Sequence, residues 1–399
     1  MPANVALLGS GVFAQESYLP ALINLSKSNT LNLHTIWSRS ESSAQTLHSK
    51  YTPPQGSSAP TLRYGDDGLA AVLADAEIDA VLFVLPITKQ PDLVRRAWKA
   101  GKHVLSEKPL GRDVREAKEL VEEYEKVYKP KDLIWRVAEN YAHEPVLRWA
   151  ADLLKSTPEA GPILYWDLKF IAFVEDGSKY HATSWRTIPD YQGGFLLDGG
   201  IHWAAFLRTV LPPAARPASV VAFSSLHRAF LLPHDTIQAI ALPAPSSTIP
   251  PNGPKTKLSS ANITESEVPT QPGQSIPRGQ VTMSLAKPDL PSSAQTPNGL
   301  YITLLNGFLS IESSPTLESS EWVAKFAPAQ GSGLEAKEKT SQMEGVEVEI
   351  GMFANAVAAQ KEGKENGEQN FGEPRGALWD LGMLEAMLNS NGAETKIEQ

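Results

Sequence analysis

From Val5 to about residue 128, short apolar runs alternate with longer amphipathic stretches. Val5-Ala6-Leu7-Leu8, residues 33–37, residues 79–85 and residues 103–106 are nearly free of polar alternation. That is how a strand reads when both faces are covered. Residues 12–25, 42–50, 91–100 and 113–128 have helical periodicity, and Gly101 closes the third of them, as glycine does at helix ends. Strands and helices in this rhythm predict βαβ units around a parallel sheet.

After about residue 134 the pattern changes. Residues 145–155 read as a helix, and residues 164–171 alternate apolar and polar as a half-buried strand does. A helix is expected over 201–210. Strands are expected over 219–224, 236–242, 279–285, 300–305 and 308–311, and a final helix pair over 348–362 and 375–390. The expected fold is α/β: an N-terminal Rossmann domain over 1–135, then an α+β domain over 136–399 with a large open sheet, mostly antiparallel or mixed.

Proline sharpens this division. Residues 243–297 carry 11 of the 31 prolines, which leaves 20 in the other 344 residues, close to an ordinary share of about 5%. A segment so rich in Pro, Ser, Thr, Gln and Asn buries too little apolar surface to offset chain entropy. A mobile insertion at about 243–278, between strands of the second sheet, is the expectation. The net charge of −9 and the lack of any basic run longer than Arg95-Arg96 argue against nucleic-acid binding. No stretch approaches a membrane span. The absence of cysteine excludes thiolate metal sites and thiol nucleophiles, and the histidines show no metal-ligand spacing. A cytoplasmic protein is expected.

Gly9-Ser10-Gly11-Val12-Phe13-Ala14 follows the first strand directly. The pattern G-x-G-x-x-A gives a tight turn, close backbone approach to a pyrophosphate, and helix–strand packing over the alanine. The helix N-terminus then faces the phosphates. The second strand ends in Ser38-Arg39-Ser40, where an NAD site usually places Asp or Glu. Hydroxyls and a guanidinium suit a 2′-phosphate, so NADP(H) is expected over NAD(H). The bland alternative is an arginine at a solvated helix start.

Two further constellations carry chemistry. Glu107-Lys108-Pro109 closes a parallel strand at its carboxyl end, where ligands of open α/β sheets bind. Lys108 there either polarises a substrate oxygen or is a solvated loop lysine. Asp198 and His202 stand four apart, on one face of a helix. A histidine so placed can exchange a hydroxyl proton, since imidazoles ordinarily titrate near neutrality. Asp198 then orients the imidazole or binds substrate; the alternative is a helix cap and a core histidine.

The glycine loop, the run AWKAGKHVLSEKPLGRD (97–113) and GGFLLDGGIHW (193–203) together resemble the glucose-fructose oxidoreductase, inositol dehydrogenase and MocA family, and fungal cytoplasmic members most. The resemblance implies reversible hydride transfer between NAD(P) and a sugar, polyol or other small hydroxy or carbonyl compound, and often a homodimer through the C-terminal sheet. It places Lys108, Asp198 and His202 on the catalytic positions. Leu85, Pro86, Gln90, Glu107 and Lys108 would join the cofactor contacts, and Asp198 and His202 the substrate contacts. Where the family often shows Thr-Pro-Asn-x-x-His, Leu85-Pro86-Ile87-Thr88-Lys89-Gln90 keeps only the proline. Glu139-Asn140-Tyr141 should lie near the pocket, with Asn140, Tyr141, Trp185 and Arg186 as substrate contacts; Tyr180 and His181 are weaker candidates. The competing reading is a non-catalytic NADP-binding regulator, which the family also contains. Lys108 and His202 argue against it, because a sensor needs no proton-transfer groups.

Overall fold

The computed structural model describes residues 1–54, 58–244, 255–260, 263–269, 277–313, 321–364, 367 and 369–398. The first sheet has six parallel strands: β1 (Ala3–Leu8), β2 (Leu31–Ser38), β3 (Thr61–Tyr64), β4 (Ala80–Phe83), β5 (His103–Glu107) and β6 (Trp135–Ala138). Their order is β3-β2-β1-β4-β5-β6, the doubly wound arrangement whose crevice opens beside β1 and β4. The helices between them are α1 (Leu19–Lys27), α2 (Glu41–Lys50), α3 (Gly65–Ala74), α4 (Gln90–Lys99) and α5 (Val114–Glu123). A π-helical turn, Ala14–Tyr18, precedes α1. The strand β3 and helix α3 go beyond what the sequence pattern suggested. β3 is a four-residue, mostly exposed edge strand, so it has no apolar run to announce it.

The second sheet has nine strands in the order β16-β15-β14-β13-β7-β12-β9-β8-β17. They are β7 (Ile163–Ile171), β8 (Pro217–Ser225), β9 (Thr236–Pro243), β12 (Arg278–Ser284), β13 (Asn298–Leu304), β14 (Gly307–Ser313), β15 (Glu321–Pro328), β16 (Lys337–Gln342) and β17 (Thr395–Lys396). All neighbours are antiparallel except β7 and β12, so the sheet is mixed, as expected. The proline-rich stretch leaves at the end of β9 and returns at β12, which pair antiparallel. It holds a backbone ribbon of β10 (Lys255–Ser260) and β11 (Ile263–Pro269). The mobility expected of it falls mainly on residues outside those described.

One face of the nine-stranded sheet is covered by helices. These are α6 (Pro145–Ser156), α8 (Gly194–Val210) and α10 (Pro374–Ser390), while α9 (Gly345–Lys361) packs on the first sheet beside α1. A one-turn helix, α7 (Ser184–Thr187), precedes α8. Helix α8 is buried along nearly its whole length. A helix so enclosed is apolar all round, which makes Asp198 and His202 conspicuous within it.

The sequence pattern placed the start of this helix near residue 201; it starts at Gly194. Gly193 is its N-cap, so Asp198 is one turn inside and caps nothing. The early start depends on Gly194, whose φ is +56° and whose Cβ would lie 2.2 Å from the Leu232 carbonyl oxygen. Only glycine fits such a position.

Candidate active site

In a parallel sheet all carboxyl ends lie along one edge, so the loops after β1, β4, β5 and β6 meet there. Gly9 follows β1 with φ +124° and donates its N–H to the Trp37 carbonyl at 2.9 Å. A Cβ on Gly9 would lie 2.1 Å from the Val84 carbonyl oxygen, so the turn demands glycine. Gly11 is the opposite case: a Cβ there meets nothing within 4 Å. That open cradle lies at the start of the helix that begins at residue 12, where free backbone N–H groups and the helix dipole favour an anion. Ala14 is fully buried, and Phe13 packs edge-on against Tyr18. Val12 is partly buried.

Ser10 and Ser38 bring their hydroxyls within 2.7 Å of each other, which ties the glycine loop to the end of β2. Arg39 and Ser40 are exposed beside them. Ser40 also caps α2, its hydroxyl accepting from the Ser43 N–H at 3.3 Å. After β4, Leu85 and Pro86 are partly buried. Gln90, at the start of α4, is buried, and neither its amide oxygen nor its nitrogen has a partner among the described residues. A buried unpaired amide is costly, and a ligand's polar groups would satisfy it. The open space at Gly11, the paired serines and this amide fit a dinucleotide along the edge.

After β5, Lys108 reaches across to α8. Its Nζ donates to the Asp198 carbonyl oxygen and to Asp198 Oδ1, both at 2.8 Å. The Arg186 Nε donates to Asp198 Oδ2 at 2.8 Å, and the guanidinium lies 3.9 Å from the Trp185 ring centre. Burial alone would push the Asp198 acid up. The two cations bonded to it reverse this and hold the carboxyl well below the usual carboxylate range. Beside Lys108, Glu107 is buried and accepts from the Tyr18 hydroxyl at 2.7 Å. Burial raises Glu107 to about 7 against the pull of Lys108 and of that hydrogen bond.

The last strand end supplies a residue that the sequence placed near the pocket without giving it a role. Glu139 follows β6, is 1% exposed, and its Oε1 lies 2.7 Å from His202 Nδ1. The same oxygen accepts the Tyr141 N–H at 3.1 Å. The Tyr141 ring stacks on the imidazole at 4.9 Å and 24°. Asn140 is partly buried in the same turn. So the carboxylate bonded to His202 is that of Glu139, while both carboxylate oxygens of Asp198 are occupied by Lys108 and Arg186. The signal was a glutamate directly after a buried parallel strand, hidden because its partner is 63 residues away.

Of the expected residues, Lys108, Asp198, Arg186, Trp185, His202 and Tyr141 gather along this edge with Glu107. His181 stands apart: it is buried and bonded through Nε2 to the Phe230 carbonyl at 2.9 Å, a structural histidine. Tyr180 touches Glu16, near the glycine loop.

Comparisons with known proteins agree with this frame. Residues 3–130 match the model of an oxidoreductase family with an NAD-binding Rossmann fold. The dehydrogenase FPY6 of Fusarium mangiferae is 40% identical over 240 residues, covering 59% of this chain and 66% of that protein. The next two curated relatives are matched over 56% and 49% of their lengths, so the chain spans less than two thirds of all three. An oxidoreductase from Thermotoga maritima superposes with a TM-score of 0.74 at 24% identity, covering 100% of this chain and 99% of that one. A 3-ketoreductase from Actinomadura kijaniata, solved with NADP and TDP-benzene, gives 0.66 at 20% identity over 97% of each chain. These two show the shared fold. The glycine loop and the Glu-Lys-Pro strand end lie in residues 3–130, which match the model of the glucose-fructose oxidoreductase, inositol dehydrogenase and MocA family of oxidoreductases; the helix bearing Asp198 and His202 lies outside that match.

Proposed function

We propose that the protein is an NADP(H)-preferring oxidoreductase that interconverts a carbonyl and a hydroxyl on a sugar, polyol or similar small molecule. In this reading residues 1–135 hold the nucleotide, and residues 136–399 supply the substrate side. The observation that carries it is the 2.8 Å pair of Lys108 and Asp198. It joins the nucleotide edge of the first sheet to the enclosed helix of the second half.

The nicotinamide, when bound, supplies or accepts the hydride, which no side chain can do. The residues do the rest. An ammonium has three donors, and Lys108 uses two on Asp198. The third is left for a substrate oxygen. Lys108 and Arg186 are two cations against the single anion Asp198. Their surplus positive charge favours an oxygen that becomes negative in the transition state. His202 gives the proton in reduction and takes it in oxidation. Tyr141, Asn140 and Trp185 border the space where a substrate would lie.

The preference for NADP(H) rests on Ser38, Arg39 and Ser40, with no carboxylate at the end of β2. The relative solved with NADP supports it by analogy. A homodimer through the open face of the nine-stranded sheet is part of the proposal. Tyr165, Phe223 and Ile240 lie exposed on it. No helix among the described residues is long and apolar enough to cross a membrane; a cytoplasmic setting remains the proposal.

The test is to incubate the protein with NADPH and a panel of aldehydes, diketones and ketoses, following nicotinamide absorbance. Oxidation of NADPH with at least one carbonyl is expected. Tight NADPH binding with silence across the panel would instead favour a binding-only regulator.

A further inference from the structure

We propose that Glu139 is the positioning residue of this site: it holds the His202 ring with its proton on Nδ1, leaving Nε2 as the atom that exchanges a proton with the reacting oxygen. The inference rests on the proposed oxidoreductase reading for its kinetic consequence, although the imidazole geometry stands without it.

Oε1 of Glu139 receives the Tyr141 N–H at 3.1 Å and faces His202 Nδ1 at 2.7 Å. An ionised carboxylate only accepts, so the ring nitrogen facing it must donate. The tautomer then follows: Nδ1 carries the hydrogen, and Nε2 is the free lone pair or the transferable proton. The stacked Tyr141 ring fixes the plane of the imidazole. Tyr141 thus locks the pair twice, through its N–H and through its ring.

Glu139 must be ionised for this to hold, and its surroundings arrange that. Burial pushes its acid up, but His202 and Lys108 outweigh the burial and draw it below the ordinary value. Other carboxyls packed around it are pushed towards their neutral forms, and the cations Arg136 on β6 and Arg148 on α6 lie by the same turn. From its own turn, His143 places Nδ1 3.2 Å from the Glu139 carbonyl, and burial lowers that histidine to about 3. Glu144 on the same turn and Glu107 after β5 are each raised by burial to about 7. Glu349 on α9 is pushed well above its ordinary value by burial and by its fellow carboxyls. From α8, Asp198 is neutralised by Lys108 and Arg186, and Arg208 by Asp380. Glu139 is therefore the anion left to face His202.

The test has two arms. In the unliganded wild type, selectively ¹⁵N-labelled histidine, assigned with a His202→Gln variant, should show the Nδ1–H tautomer at alkaline pH. Finding Nε2–H instead overturns the proposal without any assay of activity. In the kinetic arm, Glu139→Gln keeps the shape and removes the charge. Reduction needs a protonated imidazole, so its rate falls as pH rises. Without the anion that limb should move to lower pH by about one unit or more, and turnover should fall about 10- to 100-fold. Glu139→Asp should restore the limb towards its wild-type position even if turnover stays low. A limb unmoved in Glu139→Gln overturns the proposal. Should every carbonyl prove inert with the wild type, the function reading falls, and the tautomer measurement still decides the role of Glu139.

Discussion

Two groups of buried carboxyls lie within the same molecule and are driven in opposite directions from the ordinary carboxyl range. Along the site edge, Asp198 and Glu139 are buried yet held as anions. Behind it, under α9, Glu349 is 2% exposed and pushed well above its ordinary value. Glu144, which accepts the N–H groups of Glu344 and Gly345 at 3.1 Å each, is still raised to about 7. Burial is the same in both groups; what differs is the company. Lys108, Arg186 and His202 compensate the first group, whereas Glu349 faces the carboxyls of Glu107, Glu139 and Glu144 and, at 3.7 Å, the His143 ring, which burial lowers to about 3. Burial alone drives a carboxyl neutral, and a buried anion persists only where cations are built around it. The proposed chemistry is sited where the fold supplies those cations.

The comparison breaks most visibly if its central cation is removed. Lys108→Ala should lower turnover by about 10²-fold or more, with cofactor affinity changed only a few-fold, read by steady-state kinetics beside a binding titration. Undiminished turnover would detach Lys108 from the chemistry. The open space of the edge is tested next. Gly11→Ala adds a methyl where nothing lies within 4 Å, so the melting temperature should hold. Cofactor affinity should nevertheless fall about tenfold or more, because the methyl occupies the room for the pyrophosphate and weakens its charge-assisted bonds. Equal affinity would mean that the phosphates lie elsewhere.

Arg39→Ala separates the two cofactors. Affinity for NADPH should drop about tenfold while that for NADH stays within a factor of two, as titrations of both would show. A parallel loss for both would remove Arg39 from 2′-phosphate recognition.

The smallest effect concerns the back layer. Because the folded state holds the Glu349 proton above the ordinary 4.5, the unfolded chain releases that proton first as pH rises. This group's contribution to stability is then present at low pH and is lost as pH climbs above about 4.5. Glu349→Gln has no proton to lose, so its melting temperature relative to wild type should move in its favour by roughly 1–3 °C between pH 5 and 8. A constant gap would show Glu349 already ionised, and the contrast between the two carboxyl groups would fail.

Much of this was legible in the sequence, for physical reasons. Runs such as Val5-Ala6-Leu7-Leu8 announce doubly covered strands, and glycines at 9 and 11 announce the turn between strand and helix. The strands β15 and β16 were not foreseen. β16 is exposed along nearly all its length, and an edge strand without a buried face carries no period-two signal. Lys108, Asp198 and His202 stood out because charged residues are rare at buried strand ends and within an apolar helix. Glu139 was placed near the pocket but given no role, because its role depends on a partner 63 residues away. The division of labour between Asp198 and Glu139 was likewise out of reach: helical spacing put Asp198 and His202 on one face, but only packing shows that Lys108 and Arg186 occupy the aspartate.

In the proposed function the nucleotide edge and the residues of α8 form one reducing site. This is tested most directly with NADPH deuterated at either face of nicotinamide C4, mixed with sugar carbonyls and read by mass spectrometry of the product. The account predicts one deuterium on the new carbinol carbon from one face of the cofactor with the wild type, and only a trace with Lys108→Ala despite comparable NADPH binding. NADPH bound tightly by the wild type with no deuterium transferred from either face, across the whole panel, would contradict it.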